Sequence, residues 1–315
     1  MRLIRTNVGT LFYSICIYFA YIYVVNNAQC QDLAHPIETM HELVLNLQEQ
    51  LEALKAYVNP NSSTSPRDER SYPTSCLTSS FNESKIANGI RTIKVPGMAP
   101  FPVACDNCLA GYGWLVIQRR INGSLNFFRN WEEYKQGFGR LDGEFFIGLE
   151  KLRAITALEP FELYIVLEDF NRTTRSARFD EFAIGSEEDD YALYVLGAYS
   201  GNAGDSLRSH QKMKFSTYDR DNDREFRRNC AFLHVGAWWY NSCVDSNLNG
   251  QYIEGGKYEE NLFARGMCWR AWRGHNYGYK FTQMMIRPKC RHFPATFRSR
   301  NNTRQHCEAL SQPLR

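Results

Sequence analysis

Ten cysteines among 315 residues constrain the fold more than any other feature. The sequence opens with Arg2 and Arg5, which are followed by an uncharged stretch whose apolar part is Val8–Val25. A basic start followed by an apolar segment directs a protein into the secretory pathway, where disulfides persist. We therefore expect a disulfide-linked fold outside the cell, with few or none of the thiols serving as metal ligands.

The apolar run is 18 residues long, a length that fits two kinds of N-terminal segment. It is slightly longer than the apolar part of a cleaved signal and lies at the lower limit for a membrane span. Small residues near Ala28 favour a cleaved signal peptide at residues 1–28, with a signal anchor as the alternative. In both cases the remainder is extracellular. Five glycosylation sequons agree with a secreted protein: Asn61, Asn82, Asn122, Asn171 and Asn301.

Residues 36–58 carry a heptad pattern. Apolar side chains recur at alternating spacings of three and four: Ile37, Met40, Val44, Leu47, Leu51, Leu54 and Val58. This period predicts a coiled coil that joins copies of the protein into a homo-oligomer. An amphipathic helix docked on its own domain is the alternative, but the polar linker that follows (59–75) favours the coil. Cys30, just upstream, is a candidate interchain disulfide.

Residues 76–290 show the pattern of an α+β domain. We predict strands at Trp114–Gln118, Glu162–Leu167 and Tyr191–Leu196, and helices at Asn130–Gln136 and Leu149–Ala157. Clusters of Gly, Asn and Asp separate these elements, which is typical of a largely antiparallel sheet. The second half has few long apolar runs, so we expect disulfides and a bound ion to stabilise it. A polar tail (291–315) follows.

Charge and motifs exclude several function classes. The 37 basic and 34 acidic side chains leave a net charge of +3, which is too small for a dedicated nucleic-acid binder. The tetrad Gly204–Leu207 matches a GDSL hydrolase motif in letters only. The sequence contains no GxSxG, no HExxH and no phosphate loop. We predict that the protein is not an enzyme.

Seven motifs, in their order and spacing, resemble one known family. They are Gly113–Arg120, Leu141–Lys151, Tyr199–Leu207, Phe215–Asp223, Asn229–Ala231, Gly236–Tyr240 and Ser246–Gly250. Together they resemble the fibrinogen C-terminal domain of ficolins, tachylectins, angiopoietins and fibrinogen. The resemblance implies a small N-terminal part, a central antiparallel sheet and a loop-rich C-terminal part that carries calcium and the ligand pocket.

The same resemblance implies two disulfides, Cys76 with Cys105 and Cys230 with Cys243. The second closes a short loop in a segment with little core of its own, where a cross-link stabilises by about 3 kcal/mol. Five cysteines have no partner in the common family pattern: Cys30, Cys108, Cys268, Cys290 and Cys307. Their odd number leaves at least one for another protein molecule or as a free thiol.

Alternating aspartates at Asp219, Asp221 and Asp223 offer the hard oxygen ligands that Ca²⁺ prefers. A solvated acidic turn is the alternative interpretation of this run. The resemblance implies that the carboxylates of Asp221 and Asp223 bind Ca²⁺, with backbone carbonyls near Glu225 and Arg227. The sequence has one residue more than ficolins before the next cysteine, and three nearby arginines should weaken binding.

The resemblance further implies an acetyl-binding pocket beside the second disulfide. In the family's lectins the peptide before the second cysteine is cis and turns backbone N–H groups towards the acetyl oxygen. That peptide here is Ser242–Cys243. The other walls, carried over position by position, are His234, Val244, Phe263, Ala264 and His275. Val244 replaces the usual histidine, and Ala264 replaces the acid with which fibrinogen binds a peptide amine.

We therefore predict a secreted, oligomeric, calcium-dependent lectin of innate immunity that binds acetylated glycans on microbial surfaces. Multivalency through the coiled coil would raise a weak single-site affinity. The main alternative is an angiopoietin-like ligand for a cell-surface receptor. A matrix or adhesion protein that uses the basic tail, Arg291–Arg315, is a further alternative.

Overall fold

The computed structural model describes residues 72–77 and 88–289. Five features predicted from the sequence lie wholly or mainly outside these residues and stay predictions: the signal peptide or anchor (1–28), the coiled coil (36–58), most of the linker (59–75), the tail (291–315) and the interchain role of Cys30. Cys290 and Cys307 also lie outside the described residues. In the part that is described, no helix has both the length and the apolar character needed to cross a bilayer.

The described residues form twelve strands and four α-helices. The strands are β1 (Gly89–Ile93), β2 (Phe101–Asp106), β3 (Trp114–Arg120), β4 (Phe138–Gly139), β5 (Phe145–Phe146), β6 (Phe161–Glu168), β7 (Thr174–Ala183), β8 (Val195–Leu196), β9 (Tyr199–Gly201), β10 (Ser246–Asn247), β11 (Cys268–Trp269) and β12 (Phe281–Pro288). The helices are α1 (Trp131–Gln136), α2 (Leu149–Thr156), α3 (Cys230–Leu233) and α4 (Arg270–Arg273). Short 3₁₀ helices lie at Glu187–Asp189, Arg208–His210 and Glu260–Leu262.

Ten strands form one sheet whose main path runs β1-β2-β3-β12-β6-β7-β8. The named strand pairs in this sheet are all antiparallel. The last strand, β12, lies at the centre between β3 and β6, and each of its residues is buried. The strand is not continuously apolar, because Thr282, Gln283 and Arg287 are buried in it with hydrogen-bond partners. The prediction of an α+β domain with a largely antiparallel sheet is confirmed.

Two helices cover part of the sheet for reasons visible in their sequences. Helix α1 begins with a capping box in which Asn130 accepts the N–H of Glu133, and the Glu133 side chain accepts the N–H of Asn130. It buries Trp131 and Tyr134. Helix α2 buries side chains three residues apart, at Leu149, Leu152 and Ile155. An apolar stripe with this spacing lies on one helix face.

The predicted strand Tyr191–Leu196 is wrong over its first four residues, because only Val195–Leu196 is extended and paired. Asp190 and Tyr191 have positive φ angles of 52° and 47°, which an extended strand does not allow. Tyr191 is fully buried beside Trp131, with ring centroids 5.7 Å apart, and its hydroxyl donates to Glu150 over 2.5 Å. Tertiary contacts therefore override the alternating apolar pattern.

The described part of the protein is attached to the sheet from its first residues. The carbonyl of Pro73 accepts the N–H of Lys94 at 2.9 Å. Cys76 is buried and forms a disulfide with Cys105 in β2. Residues 72–77 are thus bonded to the edge of the sheet.

Candidate functional site

The loop closed by the Cys230–Cys243 disulfide is the frame of the candidate site. Helix α3 starts the loop, and Asn229 caps it by accepting the N–H of Phe232 at 2.9 Å. The side-chain amide of Asn229 also donates to the carbonyl of Thr217 at 2.9 Å. One side chain therefore joins the loop to the segment that carries the aspartates.

The predicted pocket residues lie together at this loop. The Ser242–Cys243 peptide bond is cis. The ring centroid of Phe263 lies 4.9 Å from that of His275 and 6.4 Å from that of His234. The Nε2 atom of His275 lies 3.0 Å from the carbonyl oxygen of Val244. Three aromatic rings and the backbone at Val244 are thus neighbours in the structure.

The backbone beyond the disulfide has unused donors. Asn241 donates its N–H to the carbonyl of Cys243 at 3.0 Å, and Asp245 donates its N–H to His210. Between them, the N–H groups of Cys243 and Val244 make no hydrogen bond within residues 72–77 and 88–289. These two donors are adjacent in sequence and belong to the predicted pocket.

Asn247 holds the pocket walls together, and sequence reasoning gave it no role. Its side chain is fully buried, and its amide donates to the carbonyls of His234 at 3.1 Å and Ala264 at 3.4 Å. Its Oδ1 accepts the hydroxyl of Tyr240 at 2.9 Å. The only sequence signal was its place in the motif Ser246–Gly250, which is one of those that carried the family resemblance.

His234 is neutral at physiological pH. Burial lowers the pKa of His234 to about 4, and the charges of His275 and Arg265 lower it as well. The residue is 4% exposed, and its Nδ1 atom has no hydrogen-bond partner among the described residues. A polar atom in this state gains from a ligand that can bond to it.

A second buried histidine orders the backbone that leaves the pocket. The Nε2 atom of His210 accepts the N–H groups of Asp245 at 3.2 Å and Ser246 at 3.1 Å. Because Nε2 accepts, the proton lies on Nδ1, which donates to the carbonyl of Trp239 at 2.7 Å. Burial lowers the pKa of His210 to about 4.

The three alternating aspartates separate into two roles. Asp219 accepts the N–H of Trp131 at 3.0 Å and the hydroxyl of Thr217 at 2.7 Å, so it positions the start of α1. Asp221 and Asp223 lie next to each other, since the N–H of Asp223 donates to Asp221 at 3.3 Å. The pair assigned to calcium by the resemblance is therefore the pair that the structure brings together.

The oxygen atoms at Asp221 and Asp223 are of the kind that binds a calcium ion. Burial, together with the neighbouring Asp221 carboxylate, raises the pKa of Asp223 to about 6, so a cation there would stabilise the ionised form. The backbone carbonyls of Glu225 and Arg227 accept no hydrogen bond from a described residue. In the same residues no group of three His, Cys, Asp or Glu side chains could hold a metal. Two carboxylates completed by backbone carbonyls and water would supply the hard oxygen ligands that Ca²⁺ prefers.

The aspartate loop contacts the pocket directly. The hydroxyl of Ser242 donates to the Glu225 carboxylate at 3.1 Å. Asp223 accepts the N–H of Cys230 at 2.8 Å, which joins it to the first cysteine of the disulfide loop. Order in the aspartate loop is therefore transmitted to both ends of the pocket frame.

Two further cysteines and two of the predicted sequons lie among the described residues. Cys108, without a partner in the common pattern, is disulfide-bonded. Cys268 is a buried free thiol in β11, and burial raises its pKa to about 12. Of the five sequons, Asn122 and Asn171 are exposed, while Asn61, Asn82 and Asn301 lie outside the described residues.

Comparison with known proteins identifies the family. A profile of the C-terminal globular domain of the fibrinogen beta and gamma chains matches residues 73–289. The protein belongs to the fibrinogen C-terminal domain family. The resemblance predicted from the sequence motifs is thereby confirmed.

Human relatives of this fibrinogen C-terminal domain protein include the two that follow. Fibrinogen C domain-containing protein 1 is 48% identical over 195 residues, which are 60% of this chain and 41% of that protein. Microfibril-associated glycoprotein 4 is 46% identical over 193 residues, 60% of this chain and 74% of that protein. The match thus spans about two fifths of the length of the first relative.

Solved structures agree with this assignment. The fibrinogen-like globe domain of human ANGPTL2 has a TM-score of 0.66 at 40% identity, over 69% of this chain and 100% of that one. Lamprey fibrin D-dimer in complex with the peptide Gly-His-Arg-Pro-amide has a TM-score of 0.65 at 30% identity, over 94% of this chain and 99% of that one.

Proposed function

We propose that this fibrinogen C-terminal domain protein is a secreted, oligomeric, calcium-dependent lectin that recognises acetylated glycans in innate immunity. One observation carries the proposal: aromatic rings lie at the Cys230–Cys243 loop together with two backbone N–H groups that have no partner among the described residues. Sites for small ligands combine apolar walls with a few placed polar groups. We assign the protein to binding and propose no catalytic step for it.

An acetamido group has two ends that suit this site. Its methyl group is apolar and would lie against Val244, Phe263 and the histidine rings. Its carbonyl oxygen is an acceptor for the N–H groups of Cys243 and Val244. An acetamido group would therefore bind in two ways. Its methyl group would be buried, and its carbonyl oxygen would accept hydrogen bonds in a partly desolvated site.

Replacement of the family's histidine by Val244 changes what the pocket selects. Valine offers no polar atom from its side chain, so affinity would depend more on the backbone donors and on His234. Val244 packs against the hydrophobic core, which fixes its position. We propose a pocket with a stronger preference for the acetyl methyl group and weaker recognition of sugar hydroxyls.

Calcium would act on the frame of the pocket. Asp221 and Asp223 would hold the ion, and the ion would supply positive charge that keeps both carboxylates ionised and the loop ordered. The contact from Glu225 to Ser242 then holds the ligand loop in place. Oligomerisation through residues 36–58 would raise avidity for repeated glycans.

A receptor ligand is the second candidate. It rests on the resemblance of the sequence motifs to the angiopoietins, and the human ANGPTL2 globe domain shares the fold over its whole length. A role in matrix or adhesion would be the third, through the tail that follows the domain. Both alternatives predict retention on receptor or matrix preparations without competition by acetylated sugars.

Retention on N-acetylglucosamine resin tests the lectin proposal. We expect the purified protein to bind in calcium, to elute with chelator, and to be displaced by N-acetylglucosamine and not by glucosamine. Phe263→Ala should abolish retention, whereas Tyr194→Ala should not, although the two residues are 50% and 51% exposed. If retention persists in the presence of chelator and in Phe263→Ala, the lectin assignment is wrong.

A further inference from the structure

A cluster of aromatic side chains and exposed arginines lies beside the pocket and has no role in it. We call it the aromatic-arginine patch and define it by Phe128, Tyr218, Phe226 and Phe232 with Arg224, Arg227 and Arg228. Phe226 is 86% exposed and Phe232 is 67% exposed, the two highest values among the large apolar side chains described. Single exposed apolar residues are ordinary, but a cluster of them marks an interaction surface.

Part of the patch is a continuous aromatic surface. The ring centroid of Phe128 lies 4.8 Å from that of Tyr218 and 6.3 Å from that of Phe232. Tyr218 is 38% exposed. These rings contact one another at the surface, so their outer faces form one apolar area.

Phe226 is the most exposed ring of the patch and lies on the turn that follows the aspartates. It belongs to a turn that is closed where the N–H of Cys230 donates to Asp223 at 2.8 Å. Within the described residues, Phe226 has one ring or cation contact, with Arg227, whose guanidinium lies 5.0 Å from the ring centroid. A phenylalanine on such a turn is accessible to a surface that approaches from outside.

The charged groups exposed around these rings are mainly positive. Arg224, Arg227 and Arg228 are exposed, and none of them forms an ion pair with a described residue. In the same segment Asp221 is exposed, whereas Asp223 accepts the N–H of Cys230 and Glu225 accepts the hydroxyl of Ser242. The patch therefore presents unpaired guanidinium groups next to unburied rings.

We propose that the aromatic-arginine patch binds the surface of a bilayer that contains anionic phospholipids. Phe226 and Phe232 would enter the interfacial region, while the arginines pair with phosphate groups. Apolar and aromatic side chains flanked by basic residues are the composition of segments that lie in a membrane interface. An anionic polysaccharide would require the arginines and would leave the phenylalanines in water. The highly exposed Phe226 also suits a deformable lipid surface better than a rigid partner. The proposal goes beyond glycan recognition and does not depend on it.

Cosedimentation of the full-length protein with vesicles tests the proposal. One set of vesicles contains phosphatidylglycerol and phosphatidylcholine, the other phosphatidylcholine alone, and both are used at the same calcium concentration. We expect binding to the anionic set to exceed binding to the neutral set at least about tenfold. Phe226→Ser with Phe232→Ser should reduce the anionic binding by about tenfold or more. Each arginine changed to alanine should reduce it about fivefold.

Two control variants separate the patch from the rest of the molecule. Ile90→Ala removes a 46% exposed side chain from β1, and Arg172→Ala removes an exposed arginine from the β6–β7 turn. Both should bind as the unchanged protein does, and thermal unfolding verifies that each variant is folded. All variants share the N-terminal segment, so differences between them report on the patch.

Three results would overturn the proposal. The first is no binding to anionic vesicles, which would favour a protein partner for the patch. The second is equal binding to both sets of vesicles by every variant. The third is binding that falls with the arginine variants but not with the phenylalanine variants, as expected for a soluble polyanion.

Discussion

The side-chain amide of Asn247 joins the carbonyl oxygens of His234 and Ala264, two walls of the candidate pocket that are 30 residues apart in sequence. Asn247→Ala would leave both carbonyls and the Tyr240 hydroxyl without this partner. Because unpaired buried polar groups are costly, we expect a loss of at least about 2 kcal/mol in the free energy of unfolding. Retention on acetylated resin should fall further than stability alone explains. Denaturant unfolding and resin binding measure the two effects.

Asn202→Ala is the matched control for Asn247. Asn202 is exposed, and its side chain accepts a single N–H from Ser176 at 2.9 Å. We expect its loss to change stability by less than about 0.5 kcal/mol. If both variants lose the same stability, Asn247 does not hold the pocket walls.

Gly236 allows the same group of side chains to meet. A Cβ at this position would lie 2.7 Å from Oδ1 of Asn247 and 2.9 Å from the Tyr240 hydroxyl. Gly236→Ala should therefore displace the asparagine and destabilise the domain by about 1–3 kcal/mol. Gly89→Ala, where a Cβ would have no neighbour within 4 Å, should have little effect. Equal melting temperatures for the two variants would contradict the close approach.

Calcium should stabilise the domain through Asp221 and Asp223. We expect added calcium to raise the melting temperature of the unchanged protein and chelator to reverse the increase, because binding to the native state alone stabilises it. Asp223→Asn should remove most of this response. Asp142→Asn, which changes an exposed carboxylate paired with Arg140, should keep it. A calcium response that survives Asp223→Asn would place the ion elsewhere.

Acid should destabilise the domain through His210. Its pKa is about 4 in the fold and 6.5 in an ordinary environment, so the unfolded protein binds a proton more readily than the native one. The nearby carboxylates of Asp245 and Asp205 oppose this shift without cancelling it. The contribution of neutral His210 to the free energy of unfolding is complete above about pH 6.5. It is lost as pH falls towards 4, and the total loss is about 3 kcal/mol.

His210→Gln tests this contribution. Glutamine can still accept the N–H groups of Asp245 and Ser246, but it does not titrate. We expect its free energy of unfolding to fall less steeply than that of the unchanged protein between pH 6.5 and 4. Parallel pH profiles for the two proteins would show that His210 is not the titrating group.

The sequence predicted those elements whose apolar pattern is local. Alternating or continuous apolar residues indicated β3 and β6, and the predicted helix Asn130–Gln136 begins within one residue of α1. The predicted strand Tyr191–Leu196 is wrong over its first four residues. Positive φ angles and a buried contact of the Tyr191 hydroxyl override the alternating pattern there. No local pattern reports such contacts.

The candidate site was predictable only through the family motifs. Composition could not pair Cys230 with Cys243 or bring Phe263 to His275, since these contacts cross loops without regular structure. The role of Asn247 was not predicted, because its partners lie 13 and 17 residues away in sequence. The aromatic-arginine patch was not predicted either. The exposure of Phe226 and Phe232 depends on the backbone conformation of the loop, which the sequence does not show directly.

The central place of β12 has a consequence for biosynthesis. The middle of the sheet stays open between β3 and β6 until residues 281–288 have been translated and released from the ribosome. A nonsense codon anywhere before this strand would therefore remove the domain as a whole, including the pocket that precedes it in sequence. Alleles truncated late in the coding region should behave as null alleles, because their products lack the central strand of the sheet.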